Sequence, residues 1–257
     1  MGQMQDYSFQ GPIYLGDNVD GKPRNLKWVG DHSGLEFSIE TENEERKENH
    51  SGDRAISVLL KKGSKVKPVL TLRYMTPENI LLGVHGKLNK IAAGTVTAEP
   101  LPADLKSTEI IILDKGSISN LVLTDSKAVT PTTLVEGQHY TIKSAHSGMI
   151  EFKDTTGLTQ PLKAAYSHGG MASVSMLNAT PPIRYLYQEA INTVDGRRAR
   201  VHFYKLQFDP LSNLKLTSEA LDDFALNSSS LIDPVNQRDE NLGGYGRIEW
   251  LDDPVTP

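Results

Sequence analysis

The chain has 257 residues, of which 38% are hydrophobic, and its acidic and basic residues are mixed along its length to give a net charge of −5. This composition is enough for one large domain or two modest ones, and it argues against tight nucleic-acid binding, which needs a concentrated basic surface. The chain has no cysteine, which excludes disulfides and thiolate metal sites and fits a reducing compartment.

The first strong strand pattern is LEFSIETE at residues 35–42, where apolar and polar residues alternate strictly. The apolar face of this strand consists of Leu35, Phe37 and Ile39, and its polar face consists of Glu36, Ser38, Glu40 and Glu42. Residues 54–62 and 65–74 are predicted to form two further strands, separated by a short turn at residues 62–64. Pro68 lacks a backbone donor and therefore indicates a sheet edge or a bulge.

The stretch ETENEERKENHSGDRA, residues 40–55, is predicted to be a long charged connection between these strands. A hairpin needs only two to five loop residues, so the surplus must be disordered, functional or shaped by a partner. Its charged and polar members include Glu42, Glu44, Glu45, Arg46, Lys47, Glu48, His50 and Ser51.

One helix is predicted with clear end signals, at residues 75–87. Thr76 is a good N-cap, Pro77 suits the first helical position, and Gly86 can close the C-terminus. A second short amphipathic turn is possible at residues 218–226.

Short strands bounded by Gly, Asp and Ser at regular intervals fill residues 108–168, which is typical of an all-β module. A Pro-rich approach and a Gly-rich return suggest that residues 100–169 are an insertion into an outer domain made of residues 1–99 and 170–257. The outer domain resumes with strands at residues 183–193 and 198–210, joined by an Asp-Gly turn. The predicted fold class is therefore mainly β.

A search for catalytic chemistry finds no residue set with the required spacing. The seven histidines form no HExxH pair, and we interpret them as loop or surface residues: His32, His50, His85, His139, His146, His168 and His202. His-Ser-Gly occurs three times, but neighbours along an extended chain point apart, so these tripeptides are interpreted as turns. We expect no catalytic, cofactor-binding or metal-binding residues, and no enzyme activity.

Neither a membrane span nor an export signal is predicted. No apolar run approaches the ~20 residues that a transmembrane helix requires. The N-terminal residues lack the basic region and apolar core of a secretory signal, so we expect a soluble protein that is not exported.

Taken in order, these features resemble the major tail tube proteins of long-tailed, siphovirus-type bacteriophages. The resemblance begins with GPIYLG, KWVGDHSGLEFSIETE and the charged KENHSGDRA segment. It continues with VLTLRYMTPENILLGVHGK and NTVDGRRARVHFYKLQFDPLSNLKL, and the insertion with EGQHYTIKSAHSGMIEFKD resembles the Ig-like modules that some of these proteins carry.

The resemblance implies a tail-tube-type β-sandwich with one flanking helix, assembled into hexameric rings that share a continuous inner β-barrel. Stacked rings would form a conduit for the tape-measure protein and then for viral DNA, which passes without specific binding. Further implied partners are other copies of the chain, the tail terminator, and distal tail or baseplate proteins. The implied location is the virion tail, assembled in the host bacterial cytoplasm, with the inserted module facing outward.

The resemblance also assigns roles to two groups of residues. Glu36, Ser38, Glu40 and Glu42 are expected to line the lumen, where acidic groups would repel phosphates. The charged connection is expected to be a flexible arm that reaches a neighbouring ring and becomes ordered on contact. Nearby cations complicate the lumen assignment, since they could pair with acids of a neighbouring subunit or lie at the ring rim: Lys61, Lys65, Lys67 and Arg73.

Two alternatives remain open from the sequence. One is a related contractile-tail or pyocin-type tube or baseplate component. The other is a monomeric carbohydrate-binding or adhesion β-sandwich, which would need an aromatic cluster in a groove. Trp28 and Trp250 lie near opposite ends of the chain, and this separation argues against such a cluster.

Overall fold

The computed structural model describes residues 6–252, and these form a mainly β protein with several sheets, none of them closed. The predicted mainly β class is therefore confirmed. Between Asp6 and Asp252 there is one α-helix, α1 (Pro77–Val84), and one 3-10 helix, Asn236–Arg238. The strands in chain order are β1 (Phe9–Gln10), β2 (Ile13–Val19), β3 (Lys22–Trp28), β4 (His32–Lys47), β5 (Ile56–Leu72), β6 (Leu88–Ile91), β7 (Gly94–Pro100), β8 (Ile110–Ile112), β9 (Ile118–Thr124), β10 (Tyr140–Ser144), β11 (Met149–Phe152), β12 (Lys163–His168), β13 (Met171–Val174), β14 (Arg184–Asn192), β15 (Arg198–Phe208), β16 (Phe224–Ser230) and β17 (Gly246–Leu251).

The chain divides into two units, and the second is inserted into the first. Unit 2 spans Asn89–Ser173, and unit 1 comprises the described residues on either side of it. The sequence predicted the insertion at residues 100–169. It begins earlier because β7 pairs with β12, from Gly94 opposite His168 to Pro100 opposite Lys163.

Unit 1 is built on a nine-stranded sheet whose strand order is β3-β2-β14-β15-β16-β5-β4, with β1 added to β14 and β17 added to β15. Its long strands alternate buried and more exposed residues, as the two-residue period of a strand requires. The core is aliphatic and aromatic: Ile13, Leu15, Val29, Val66, Leu70, Leu72, Leu82, Leu186, Phe203, Leu206, Phe208, Phe224 and Leu226. Strand β5 is paired on both sides, with β4 and β16, so it is not the edge that Pro68 suggested.

Helix α1 begins where the sequence predicted and ends at Val84, two residues before the predicted glycine, Gly86. The Thr76 side chain accepts a hydrogen bond from the Asn79 amide at 3.2 Å, and Pro77 occupies the first turn. His85, with a φ of 51°, takes the left-handed C-cap position. Gly86 has a different role: a Cβ there would lie 1.5 Å from the Ser175 carbonyl oxygen, so glycine permits this close approach.

The short helical turn considered at residues 218–226 is wrong. The chain is irregular there until β16 begins at Phe224. Leu226 is buried in the core of unit 1 and pairs with Leu70 of β5. Tertiary pairing therefore overrides the weak local helical pattern.

Unit 2 contains two three-stranded sheets, ordered β10-β11-β8 and β7-β12-β9, around its own core. Asp125 is buried beside this core, 1% exposed. Burial alone would raise the pKa of its carboxyl, but the amide groups of Thr132, Thr159 and Lys127 donate hydrogen bonds and lower that pKa to about 2. The ionised carboxylate thereby joins the 125–132 loop to residue 159.

Candidate functional site

The most distinctive feature of unit 1 is the β4–β5 hairpin, whose strands have 16 and 17 residues. The two strands pair from His32 opposite Leu72 to Lys47 opposite Ile56, and the register shifts after His32, after Glu42 and after Arg46. The predicted turn at residues 62–64 is wrong, because β5 continues through it. The predicted charged connection is also largely wrong, because residues 43–47 belong to β4 and only residues 48–55 form the loop.

The base of the hairpin packs against the rest of unit 1. Leu35 contacts the core, and its cross-strand partner Leu70 is 1% exposed. Phe37 lies edge-on to Phe203 of β15, with ring centroids 5.6 Å apart. This half of the hairpin is therefore supported by apolar burial as well as by the strand ladder.

The polar face of the hairpin carries three ion pairs between Lys of β5 and Glu of β4. The Nζ–Oε distances are 2.6 Å for Lys67–Glu40, 3.7 Å for Lys65–Glu42 and 2.8 Å for Lys62–Glu44. The first two are diagonal, because Lys67 lies opposite Ser38 and Lys65 lies opposite Glu40 in the register. We call these six residues the ion-pair ladder.

The ladder changes the interpretation of the residues assigned to a lumen. Glu36, Ser38, Glu40 and Glu42 lie on one exposed face, because they alternate along β4. Lys65 and Lys67 lie on the same face and pair within the chain, and Arg73 pairs with Asp31 at 3.1 Å. The face therefore presents both charge signs in close pairs rather than a row of acids.

The distal part of the hairpin, residues 40–65, is largely exposed, and we call it the arm. At its start, the Ser64 carbonyl accepts a hydrogen bond from the Tyr245 hydroxyl at 3.0 Å. Four aliphatic side chains of β5 lie on it: Ile56, Val58, Leu59 and Leu60, each between 52% and 60% exposed. Their cross-strand partners on β4 are all charged: Lys47, Arg46, Glu45 and Glu44. Charged groups on one strand thus lie opposite an exposed aliphatic run on the other. The sequence predicted a strand here, but not the exposure of its aliphatic side chains.

The tip of the arm is ordered around a single carboxylate. Glu48 accepts hydrogen bonds from the backbone amides of His50 at 2.8 Å and Ser51 at 3.0 Å, and from the Ser51 hydroxyl. The hydroxyl bond is the main cause of the lowered pKa of Glu48, with the two amides adding to it. His50 Nδ1 lies 2.6 Å from the same carboxyl group. His50 and Ser51 therefore shape a turn, and Gly52 completes it with a φ of 88°.

A groove of about 1220 Å³ lies beside the base of the hairpin. Its walls include both tryptophans, Trp28 of β3 and Trp250 of β17, which are 55% and 52% exposed. Phe9, Phe37 and Ile248 also line it, and Arg73 and Asp31 contribute an ion pair. The separation of the tryptophans along the sequence was therefore misleading, because the fold brings them to the same groove. We call it the tryptophan groove.

A partly buried polar cluster links β17, one wall of the groove, to β15. Glu249 accepts hydrogen bonds or ion pairs from Arg247 at 2.6 Å and Arg200 at 2.7 Å, and it lies 3.3 Å from His202 Nε2. His202 Nδ1 lies 2.9 Å from the Tyr185 hydroxyl. Burial, with help from the charge of Arg247, lowers the pKa of His202 to about 4.

The interpretation of His202 as a loop or surface residue is wrong, because it is 6% exposed within β15. His202 lies in the strand that the sequence predicted at residues 198–210, and the alternating VHFYKLQF pattern at residues 201–208 was the signal that could have placed its side chain on the buried face. The other histidines are exposed or half-buried. In residues 6–252, no group of three or more His, Asp or Glu side chains is placed to hold a metal ion, and no helix is long and apolar enough to cross a membrane.

Comparison with known proteins identifies a family for the chain. No curated protein matches the chain. A family model described as "Protein of unknown function UCP028589" matches residues 6–249, which is nearly all of the 257 residues. The chain therefore belongs to the family of proteins of unknown function UCP028589.

Proposed function

We propose that the protein is the structural subunit of a bacteriophage tail tube. Hexameric rings of the chain would stack into a hollow tube in the virion tail. The tube would conduct the tape-measure protein and then genomic DNA, and the tail terminator and distal tail or baseplate proteins would close its ends. Assembly would take place in the host bacterial cytoplasm.

The observation that carries this proposal is the projecting arm. A two-stranded hairpin alone is marginally stable, and exposed aliphatic side chains on such an element mark an interaction surface. The arm exposes Val58, Leu59 and Leu60, each by more than half. A subunit that assembles would bury these side chains against a neighbouring copy.

The open ends of the nine-stranded sheet support the same proposal. Within residues 6–252, β4 pairs only with β5, and β3 pairs only with β2, so each has an unpaired edge. Exposed edges invite association with another chain, and a closed multi-subunit barrel removes them. Because β3 and β4 are different surfaces, their association between copies would be head-to-tail, which is the geometry that makes rings.

The ion-pair ladder fits a conduit for DNA if it lines the lumen. Three lysines beside three glutamates leave little net charge on this face, counting the six residues of the ladder. Binding of DNA to a protein depends on unpaired cations that displace counterions from phosphates. Lysines held by neighbouring carboxylates would contribute weakly, so DNA could slide past them.

Negative-stain electron microscopy of the purified protein at rising concentration tests the proposal. We expect rings or tubes, and a particle that stays monomeric at every concentration would contradict it. A matched variant replaces residues 43–62 with Asn-Gly, which joins the paired residues Glu42 and Gly63 by a two-residue turn. This variant should remain a folded monomer and fail to grow tubes.

Unit 2 is proposed to face outward from the tube. Replacing residues 92–170 with a short Gly-containing turn would join β6 to β13, which pair with each other. The resulting tubes should be thinner and intact in the microscope. Loss of all assembly in a variant that still folds would show that unit 2 belongs to the tube wall.

A second candidate function is saccharide binding by a monomer, and the tryptophan groove is the observation that favours it. Exposed aromatic side chains in a concave site are suited to an apolar sugar face, with charged groups such as Arg73 and Asp31 providing hydrogen bonds. Titration with a panel of bacterial polysaccharides, followed by tryptophan emission, tests this function. A saturable shift that is lost in Trp250→Ala would support it.

A further inference from the structure

We propose that the tryptophan groove of one copy receives the exposed aliphatic run of the arm of a second copy. This inference rests on the proposed self-assembling function and names the surfaces that meet. It replaces the expectation of a flexible charged arm with a preformed hairpin held mainly by apolar contact. The occupant is thus a second copy of this chain.

The arm has the shape and chemistry of an insert. From Glu40 to Lys47 the strand extends about 25 Å, at the ~3.4 Å rise per residue of an antiparallel strand. Its β5 side carries the exposed aliphatic run from Ile56 to Leu60. Because the pairing of β4 with β5 and the turn around Glu48 fix the backbone before contact, little conformational entropy remains to be lost on docking.

The groove has the complementary chemistry. Its apolar walls come from Trp28, Phe37, Ile248 and Trp250, all more than one-third exposed. Its volume of about 1220 Å³ exceeds the ~300–1,000 Å³ of typical small-molecule pockets, so it can take a length of polypeptide. The charges of Arg73 and Asp31 are already paired with each other, and they present no like-charge barrier to the mixed charges of the arm.

The arm cannot fill the groove of its own chain. Phe37, which lines the groove, belongs to the base of the same hairpin, and the pairing of β4 with β5 continues from that base to Lys47. Folding back would break this ladder. The contact must therefore be between copies, and because arm and groove are different surfaces, it can propagate through rings or stacks.

Disulfide trapping tests the contact without background, because the chain has no cysteine. Leu60→Cys and Leu59→Cys, on opposite faces of the arm, are each purified and mixed with a separate Ile248→Cys protein under mild oxidation. At least one arm variant should crosslink to Ile248→Cys ten times more than to Val129→Cys, a 95% exposed control in unit 2. Thermal unfolding of each single variant confirms that it folds.

The outcomes separate this inference from the proposed function. Crosslinking no greater than the control, in samples that still form rings or tubes, overturns the arm-in-groove contact and leaves the tail-tube function standing. Crosslinking at the control level in a protein that remains monomeric overturns both. A monomer whose tryptophan emission responds to polysaccharide also overturns the contact, because the groove then has a different occupant.

Discussion

The base and the arm of the β4–β5 hairpin belong to the same pair of strands, but their environments are opposite. At the base, Leu70 and Leu72 are at most 1% exposed and belong to the core of unit 1. In the arm, Leu59 and Leu60 of the same strand are 60% and 57% exposed. The base is thus stabilised by core burial as well as by strand pairing, whereas the arm depends on cross-strand contacts beyond the Tyr245–Ser64 hydrogen bond.

In this hairpin, residues therefore form a strand whether or not their side chains are buried. Glu44, Glu45, Arg46 and Lys47 have low intrinsic preference for strands, yet they continue β4. Their cross-strand partners are β-branched or aliphatic, and the ladder starts from a well-packed base. An element that is built but unsupported within its own chain is therefore best explained by a contact outside it.

The largest difference in stability is expected when a leucine is truncated to alanine in the base and, for comparison, in the arm. Leu70→Ala removes a buried core residue and should lower the free energy of unfolding by about 2–5 kcal/mol. Leu60→Ala removes an exposed one and should change it by less than about 0.5 kcal/mol. Urea denaturation of both variants as monomers provides the measurement. Equal losses would show that the arm packs within the chain.

The next effect is a loss of stability at low pH, which we expect from His202 of β15. Its pKa of about 4 lies below the ordinary 6.5, so the unfolded chain binds a proton at higher pH than the folded chain does. Stability should therefore fall as pH is lowered from about 6.5 to about 4, with a slope approaching one proton. Thermal melts across this range measure it.

Replacing the histidine provides the control for this pH effect. His202→Gln cannot take up the proton, so the variant should show a flatter profile between pH 6.5 and 4 and lower stability at neutral pH. If the wild-type and variant profiles remain parallel through that window, another group is responsible for the acid loss.

A smaller effect is expected from the ion-pair ladder, which runs from the base into the arm. A double-mutant cycle with Glu40→Gln and Lys67→Gln should give a coupling of about 0.2–1 kcal/mol that shrinks in high salt, because both side chains are exposed. The same cycle for Glu44 and Lys67, which lie on this face but pair with other residues, should give no coupling. Equal couplings would mean that the charges act as a diffuse set.

The smallest global effect should come from the tip. Glu48→Ala removes the acceptor of the His50 and Ser51 amides and should speed their hydrogen exchange several-fold, with no shift in the global melting temperature. Because the pKa of Glu48 is lowered in the fold, the wild-type tip should keep its order above the ordinary pKa of a glutamate and lose it as pH falls through the lowered value. Exchange rates that do not differ would show that the backbone alone orders the turn.

Local signals allowed much of the fold to be predicted. Two signals are local in the sequence, and the structure has both: the alternation of residues 35–42 and the helix start at Thr76-Pro77. The 43–47 segment was missed because its composition favours a loop, and only its partner strand makes it extended. The tryptophan groove was missed because Trp28 and Trp250 meet through the pairing of β2, β14, β15 and β17, which sequence spacing cannot reveal.

The aliphatic run of the arm has a consequence for how many neighbours an arm needs. Successive side chains of a strand point to opposite sides, so Val58 and Leu60 lie on one side of the arm and Leu59 lies on the other. One docking surface can exclude water from only one of these sides. In the proposed assembly the arm would therefore need two docking surfaces, and a simple pair of copies would leave half of its apolar surface in water. Assembly of this kind should show a threshold concentration, below which pairs dissociate and above which each added copy encloses an arm completely.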